Sequence, residues 1–188
     1  TLPFIHSFQS ERLKTKRRLA SWIVIIGAFF TPVIITIARL VQYDKQSSAY
    51  ASADFWNNHW NNVWQSMALF LLPLGIILFT SLITQIEYKN NTWKQLHTLP
   101  LKFSTVFFAK LAVIIVMVLQ FFILFNVGIY LSVLVPYFLI SGVPYPKQPI
   151  PYLFFLKENA LFFIDCLPIV ALQYLLSLRF KNFLVPIG

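Results

Sequence analysis

The sequence predicts an all-α fold, a polytopic bundle of transmembrane helices, and three observations carry that prediction. Its 188 residues are 58% hydrophobic and 18% aromatic, with a mean hydropathy of +0.70. Only 11% are charged, against roughly 25% in a soluble domain. The apolar residues, 20 Phe among them, stand in long runs and lack the alternation of strands, and the charges collect between the runs. A water-soluble globule is excluded. With Gly at 5 and Cys at 1, so are a collagen-like repeat and a disulfide-stapled module. Cys166 lies inside an apolar run, where it can form neither an internal disulfide nor a cysteine-based metal site.

Crossing a hydrocarbon core of about 30 Å takes about 20 apolar residues. Four spans are expected on that basis, about Ala20 to Val41, Met67 to Ile86, Ala109 to Val135 and Asn159 to Leu178. The third is long enough to tilt or to project from the bilayer. A basic stretch before an apolar one also describes a signal peptide. The run from Ala20 is too long for one, however, and no small-residue cleavage site follows it, so it reads as a retained first span. The chain starts at Thr1 and stops as another apolar segment, Phe183 to Ile187, opens. It is expected to be a piece of a longer protein, with a fifth span beginning at 183. The division is a leader over 1–19 and a transmembrane domain over 20–188.

The net charge of +9 fits either nucleic acid or anionic lipid, and position decides between them. Arg12, Lys14, Lys16, Arg17 and Arg18 lie just before the first span, where they meet lipid headgroups, so membrane lipids are the expected partner and nucleic acid is not. Lys89, Lys94, Lys102, Lys110, Arg179 and Lys181 fall on the same side as that cluster. The opposite side holds Lys45, Lys147 and Lys157, with Arg39 near the end of the first span. Positively charged ends stay cytoplasmic, which places the N-terminus and residues 87–108 and 179–182 inside. Upstream, Phe4, Ile5, Phe8 and Leu13 interleave with charged residues at helical spacing. They suit either a short helix on the inner membrane face or a solvated basic leader.

Outside, the loop from Gln42 to about Asn62 carries Trp56, Trp60 and Trp64 at i, i+4, i+8. This stripe is expected at the outer headgroup level, with ligand stacking as the other reading. His59 has no second ligand at metal spacing. The second external loop, Pro136 to Lys157, is rich in proline and should be irregular.

No catalytic constellation assembles. Glu11, Asp44, Asp54, Glu87, Glu158 and Asp165 are scattered over different segments, as are His6, His59 and His97, so neither a catalytic group nor a metal site is expected. A P-loop is absent, so the chain is not expected to be an enzyme or to bind a cofactor of its own, and any energy source is a separate subunit. Thr80, Ser81 and Thr84 share a face of the second span below a Pro73-Leu74-Gly75 break. With Gln120, Asn126 and Gln173 they either pack helices or line a substrate path. Asp165, within an apolar stretch, is either a polar point on that path, a partner for a cation such as Arg39, or a residue at the wet outer interface.

The segment between the second and third spans, Glu87 to Lys110, is the most informative. Thr92 and Gln95 form a T-x-x-Q capping box, Pro100 closes the helix they open, and Trp93 and Leu96 share one of its faces. Such a helix suits docking into a groove on a soluble partner. Glu87 is followed by Thr92 after five residues, Pro100 after eight more and Lys110 after a further ten. These intervals resemble the membrane subunit of ABC transporters of the ABC-2 type, and the stretch from Ser10 to Arg18 is similar to that family's N-terminal elbow. Asn91 departs from the Gly that often precedes the family's Thr.

The resemblance implies a six-span permease in a bacterial inner membrane, paired with a second copy or paralogue and with ATP-binding cassette subunits that hold ATP and Mg. It implies export of a lipid-like or peptide substrate, with the small loops most similar to permeases that protect bacteria from bacitracin or lantibiotics. Glu87, Thr92, Trp93, Gln95, Leu96, Pro100 and Lys110 would couple to the ATPase. The alternative is an unpowered membrane scaffold or accessory subunit.

Overall fold

A computed structural model of the chain describes residues 2–15, 19–42, 50, 52–89, 103–140, 143 and 145–179. Every regular element among them is helical: α1 (Leu2–Thr15), α2 (Leu19–Val41), α3 (Phe55–Ser66), a π-helical turn (Met67–Leu71), α4 (Leu72–Lys89), α5 (Phe103–Leu139) and α6 (Tyr152–Arg179). Three stretches are long and apolar enough to cross a membrane, Ala20–Val41, Ser104–Leu139 and Tyr152–Arg179. A fourth is counted if Phe55–Leu69 and Leu72–Thr84 form one interrupted span. The segment from 183 lies outside the described residues.

The first span is found where hydropathy places it, but three other boundaries move. Helix begins at Phe55, inside the expected first external loop, with the Asp54 carbonyl accepting from the Asn58 amide at 3.0 Å. Helix α5 continues through Pro136, whose carbonyl accepts from the Ile140 amide at 3.0 Å. Its 37 residues extend about 55 Å at 1.5 Å per residue. Helix α6 starts at Tyr152 and carries Lys157 and Glu158 within it, the Pro151 carbonyl accepting from the Phe155 amide at 3.1 Å. Hydropathy reports what can enter hydrocarbon, whereas a helix continues for as long as its backbone bonds do, so charges near an end do not stop it.

Proline punctuates the helices locally. Pro73 follows the π turn, in which the Leu72 amide reaches back to the Met67 carbonyl. Because Pro73 has no N–H and its ring crowds the carbonyl four residues back, the wider turn before it relieves that crowding. Within α2, Pro32 removes one backbone donor, and Thr36 Oγ1 donates to the Pro32 carbonyl at 2.7 Å. The buried face of α2 holds Ala20, Val24, Ala28 and Thr31, and the exposed face holds Trp22, Ile26, Phe30, Ile34, Ile37 and Val41. That division, at helical spacing, is one packed side and one exposed apolar side, the side a span would turn to lipid.

Two compact units divide the chain. The first comprises Thr1–Val24, Pro73–Gln120 and Phe163–Gly188, and the second Ile25–Leu72 and Phe121–Phe162. In the first, Ile76, Phe79, Ile83, Val113, Ile114 and Val170 are buried, and Tyr174 of α6 lies over Phe107 of α5 at 5.0 Å between ring centroids, its hydroxyl donating to the Phe107 carbonyl at 2.9 Å. The second is built on aromatic rings. Tyr50, Phe55, Trp56, Val133 and Val143 form one core cluster, flanked by Ile140, Ile150 and Phe155.

Gly128 of α5 lies close against Pro32 of α2 in the second unit. A Cβ there would stand 2.9 Å from Pro32 Cγ and 3.1 Å from Pro32 Cβ, whereas one at Gly75 would meet nothing within 4 Å. The ring of a buried proline cannot swing aside. Gly128→Ala is therefore expected to lower stability in detergent by about 1–3 kcal/mol, while Gly75→Ala is neutral or stabilising by about 1 kcal/mol. Thermal unfolding of the two purified variants beside the parent checks the contrast.

Candidate functional site

Trp56, Trp60 and Trp64 of α3 are 3%, 1% and 1% exposed, so the stripe expected at headgroup level is turned into protein. Trp64 stacks on Phe162 with centroids 4.7 Å apart and planes 4° from parallel, and Trp60 stacks on Phe155 at 5.6 Å. Two of the three indole N–H groups find protein acceptors, Trp56 Nε1 on the Gln148 carbonyl at 3.0 Å and Trp60 Nε1 on Asn126 Oδ1 at 3.3 Å. Trp64 Nε1 is buried with no hydrogen-bond partner. Burial of such large surfaces is a principal source of cohesion in this unit.

The same helix brings His59 to the centre of a polar network that its sequence context does not announce. Arg39 of α2 donates from Nη2 to His59 Nδ1 at 2.9 Å and from Nη1 to the Tyr50 hydroxyl at 3.2 Å. A guanidinium can only donate, so Nδ1 is the acceptor and the His59 ring proton sits on Nε2. From there it faces Ser132 Oγ at 2.9 Å, and Ser132 in turn donates to the Ile129 carbonyl at 2.7 Å. The Tyr50 hydroxyl donates to the Val133 carbonyl at 3.2 Å, and burial raises that hydroxyl above the usual phenol range, against the opposing pull of Arg39. The guanidinium also lies 5.5 Å from the Tyr50 ring centroid and 5.4 Å from that of Phe55, within cation–π range. Four segments of the second unit are joined by these contacts.

Asn126 and Asn159 form a reciprocal amide pair between α5 and α6. Asn126 Nδ2 donates to Asn159 Oδ1 at 2.7 Å and Asn159 Nδ2 returns to Asn126 Oδ1 at 3.1 Å. Each Nδ2 also bonds the carbonyl one turn back, Phe122 at 2.8 Å and Phe155 at 2.6 Å. All four amide protons have acceptors.

In the first unit, Thr80, Ser81 and Thr84 of α4 and Gln173 and Ser177 of α6 are buried together. Gln173 Nε2 donates to Ser81 Oγ at 2.9 Å, and Ser81 and Ser177 share a bond at 3.4 Å. Thr84 Oγ1 returns to the Thr80 or Ser81 carbonyl at 3.0 Å, while Thr80 Oγ1 is buried without a hydrogen-bond partner. Ser81, Gln173 and Ser177 join α4 to α6. Gln120 and Asp165 differ, for both side chains are exposed. Asp165 stands among the exposed Leu161, Ile164 and Leu172 of α6, and the Arg39 bonds named above go to His59 and Tyr50.

Of the expected coupling residues, Glu87 belongs to α4 and Lys110, 2% exposed, to α5. Thr92, Trp93, Gln95, Leu96 and Pro100 lie outside the described residues. Among the described residues no group of three or more His, Cys, Asp or Glu side chains could hold a metal ion. The described polar side chains make contacts suited to packing, positioning and exclusion of water; in the buried His59–Ser132 pair the ring proton is on Nε2, so the imidazole donates to that hydroxyl and does not act as its base.

A multi-pass α-helical membrane protein is what the long apolar helices and internally paired polar groups define. The family model for the ABC-2 family transporter protein matches residues 7–188, and the chain belongs to that family. No curated protein and no solved structure matches the chain. Membership makes it a membrane component of a transporter, a role that is not itself catalytic.

The amide pair predicts an inverted mutational series. Asn126→Leu alone leaves Asn159 Oδ1 and one of its amide protons without their partner and also removes the acceptor of the Trp60 indole, whereas Asn159→Leu leaves one amide proton of Asn126 without its partner while Asn126 Oδ1 still accepts from Trp60. The double variant removes both polar groups at once. Each single change is expected to cost about 1–2 kcal/mol, and the pair less than the sum of the two. A double-mutant cycle of unfolding in detergent checks this, with additive losses as the contrary result.

Proposed function

We propose that the chain is the permease subunit of an ABC exporter, driven by a separate ATP-binding cassette subunit that holds ATP and Mg, and working with a second permease copy or paralogue. It resides in a bacterial inner membrane with its N-terminus cytoplasmic, and its substrate is lipid-like or a peptide, antimicrobial peptides of the bacitracin or lantibiotic kind being the narrower class. The observation that carries the reading is the ABC-2 family match over residues 7–188, a family that usually works with an ATP-binding subunit. The charge asymmetry supports the orientation. The Glu87, Thr92, Pro100 and Lys110 intervals support the docking segment.

Without a P-loop, a permease receives work only through contact. The short helix expected between Thr92 and Pro100 from their capping and closing residues links the second and third expected spans in sequence, so a soluble subunit that grips that segment can move both. Trp93 and Leu96 supply the buried anchor, with Glu87, Gln95 and Lys110 holding the segment's frame. Among the polar residues of the spans, Thr80, Ser81, Thr84, Asn126 and Gln173 are engaged in helix packing or buried in it. The substrate path therefore falls to Asp165 and Gln120, whose side chains are exposed.

Removing the anchor tests the proposal. Large apolar residues in a docking groove contribute about 2 kcal/mol or more each, so Trp93→Ala with Leu96→Ala should insert normally yet lose the ATPase on purification or uncouple its hydrolysis from transport. A full complement of ATPase with undiminished substrate-stimulated hydrolysis and transport refutes the anchor. Failure of the parent chain itself to capture an ATP-binding subunit from its own cells returns the protein to the scaffold reading.

A further inference from the structure

Among the described residues, the buried charged side chains are Glu11, 6% exposed, and Lys110, 2% exposed. They are opposite in sign, both belong to the first unit, and each has an interaction partner. Their setting gives the reason to connect them. On α1 the side turned into protein carries Ser7 and Glu11, one turn apart, while Phe4, Ile5 and Leu13 are exposed. A surface helix in water does the reverse. At a membrane surface the apolar side can enter lipid, and what is left to hold α1 to the rest of its unit is polar.

An ionised side chain so far from water needs an opposite charge beside it, or it gives up its own. The acids of the first unit are Glu11, Glu87 and Asp165, and Asp165 is exposed. Lys110 is the eighth residue of α5, beyond the first turn in which the helix dipole acts, so helix electrostatics give it no reason to be buried there. A cation beside Glu11 would compensate its burial, and among the described residues Lys110 is the buried cation of the unit. Glu87, whose side chain lies outside the described residues, is the competing partner.

We propose that Glu11 and Lys110 are counter-ions, a buried latch that fixes α1 to the start of α5. Lys110 is then a positioning residue. It holds the leader helix in register with the helix that follows residues 90–102, so α1 and α5 move together. The latch stands whether or not those residues dock an ATP-binding subunit, and its test reads the chain itself rather than transport.

Charge exchange in the full chain, purified in lipid nanodiscs, tests it. Glu11→Lys and Lys110→Glu should each shift the melting temperature down and speed amide hydrogen exchange across α1, with α6 unaffected. Combining the two should recover most of both losses, because the ion pair returns reversed. Combining Glu87→Lys with Lys110→Glu should recover neither. A Glu11→Lys, Lys110→Glu pair no better than its worse single variant overturns the proposal. Recovery by the Glu87 pair instead does the same and transfers the latch to α4.

Discussion

In a hydrocarbon core a polar group has no water to fall back on, and each one left unpaired costs several kcal/mol. The organisation of this chain follows from that constraint. Backbone groups are satisfied by continuous helix, which is why α5 runs on through Pro136 and α6 starts before its charges end. Side-chain groups are paired in sets: Asn126 with Asn159, Trp60 and the Phe122 and Phe155 carbonyls, Ser81 with Gln173 and Ser177, Arg39 with Tyr50, His59 and Ser132 beyond it, while Asn57 Oδ1, Trp64 Nε1 and Thr80 Oγ1 are buried without a hydrogen-bond partner. None of these sets suits chemistry on a substrate. Each suits holding one helix at a defined register on another.

That economy also sorts the polar residues by role. A side chain whose donors and acceptors are filled from within the bundle is spent on packing, and the polar residues remaining on exposed faces are the ones available to something that passes or binds. Asp165 is in the second class, on a face otherwise built of Leu and Ile. Lys110 is buried, even though its place in the Glu87 to Lys110 spacing would suggest a surface role. Membership of the ABC-2 family makes the chain a membrane component of a transporter.

Much of this was legible in the sequence where the signal is one-dimensional. Hydropathy finds α2 to within a residue because Ala20 to Val41 is uninterrupted, and the Glu87, Thr92, Pro100 and Lys110 intervals point to the family that the match over 7–188 shows. What escaped depends on register between distant segments. Asn126 and Asn159 are 33 residues apart, and nothing local says they meet. His59 reads as a solitary loop histidine until α3 sets it between Arg39 and Ser132. The tryptophans misled for a different reason. A stripe at i, i+4, i+8 is the signature of an interfacial belt and equally of a core face, and only the rings of Phe155 and Phe162 decide between them.

The central claim is that α3 faces protein, with its indoles removed from both water and headgroups. Tryptophan quenching in lipid tests it most directly, in a Trp22→Phe, Trp93→Phe chain that leaves Trp56, Trp60 and Trp64. In bilayers carrying brominated lipids at graded depths, and with iodide in the aqueous phase, the account predicts weak quenching by iodide and by bromine at the headgroup level. Strong quenching by shallow bromines or by iodide would put the stripe at the membrane surface and contradict the account.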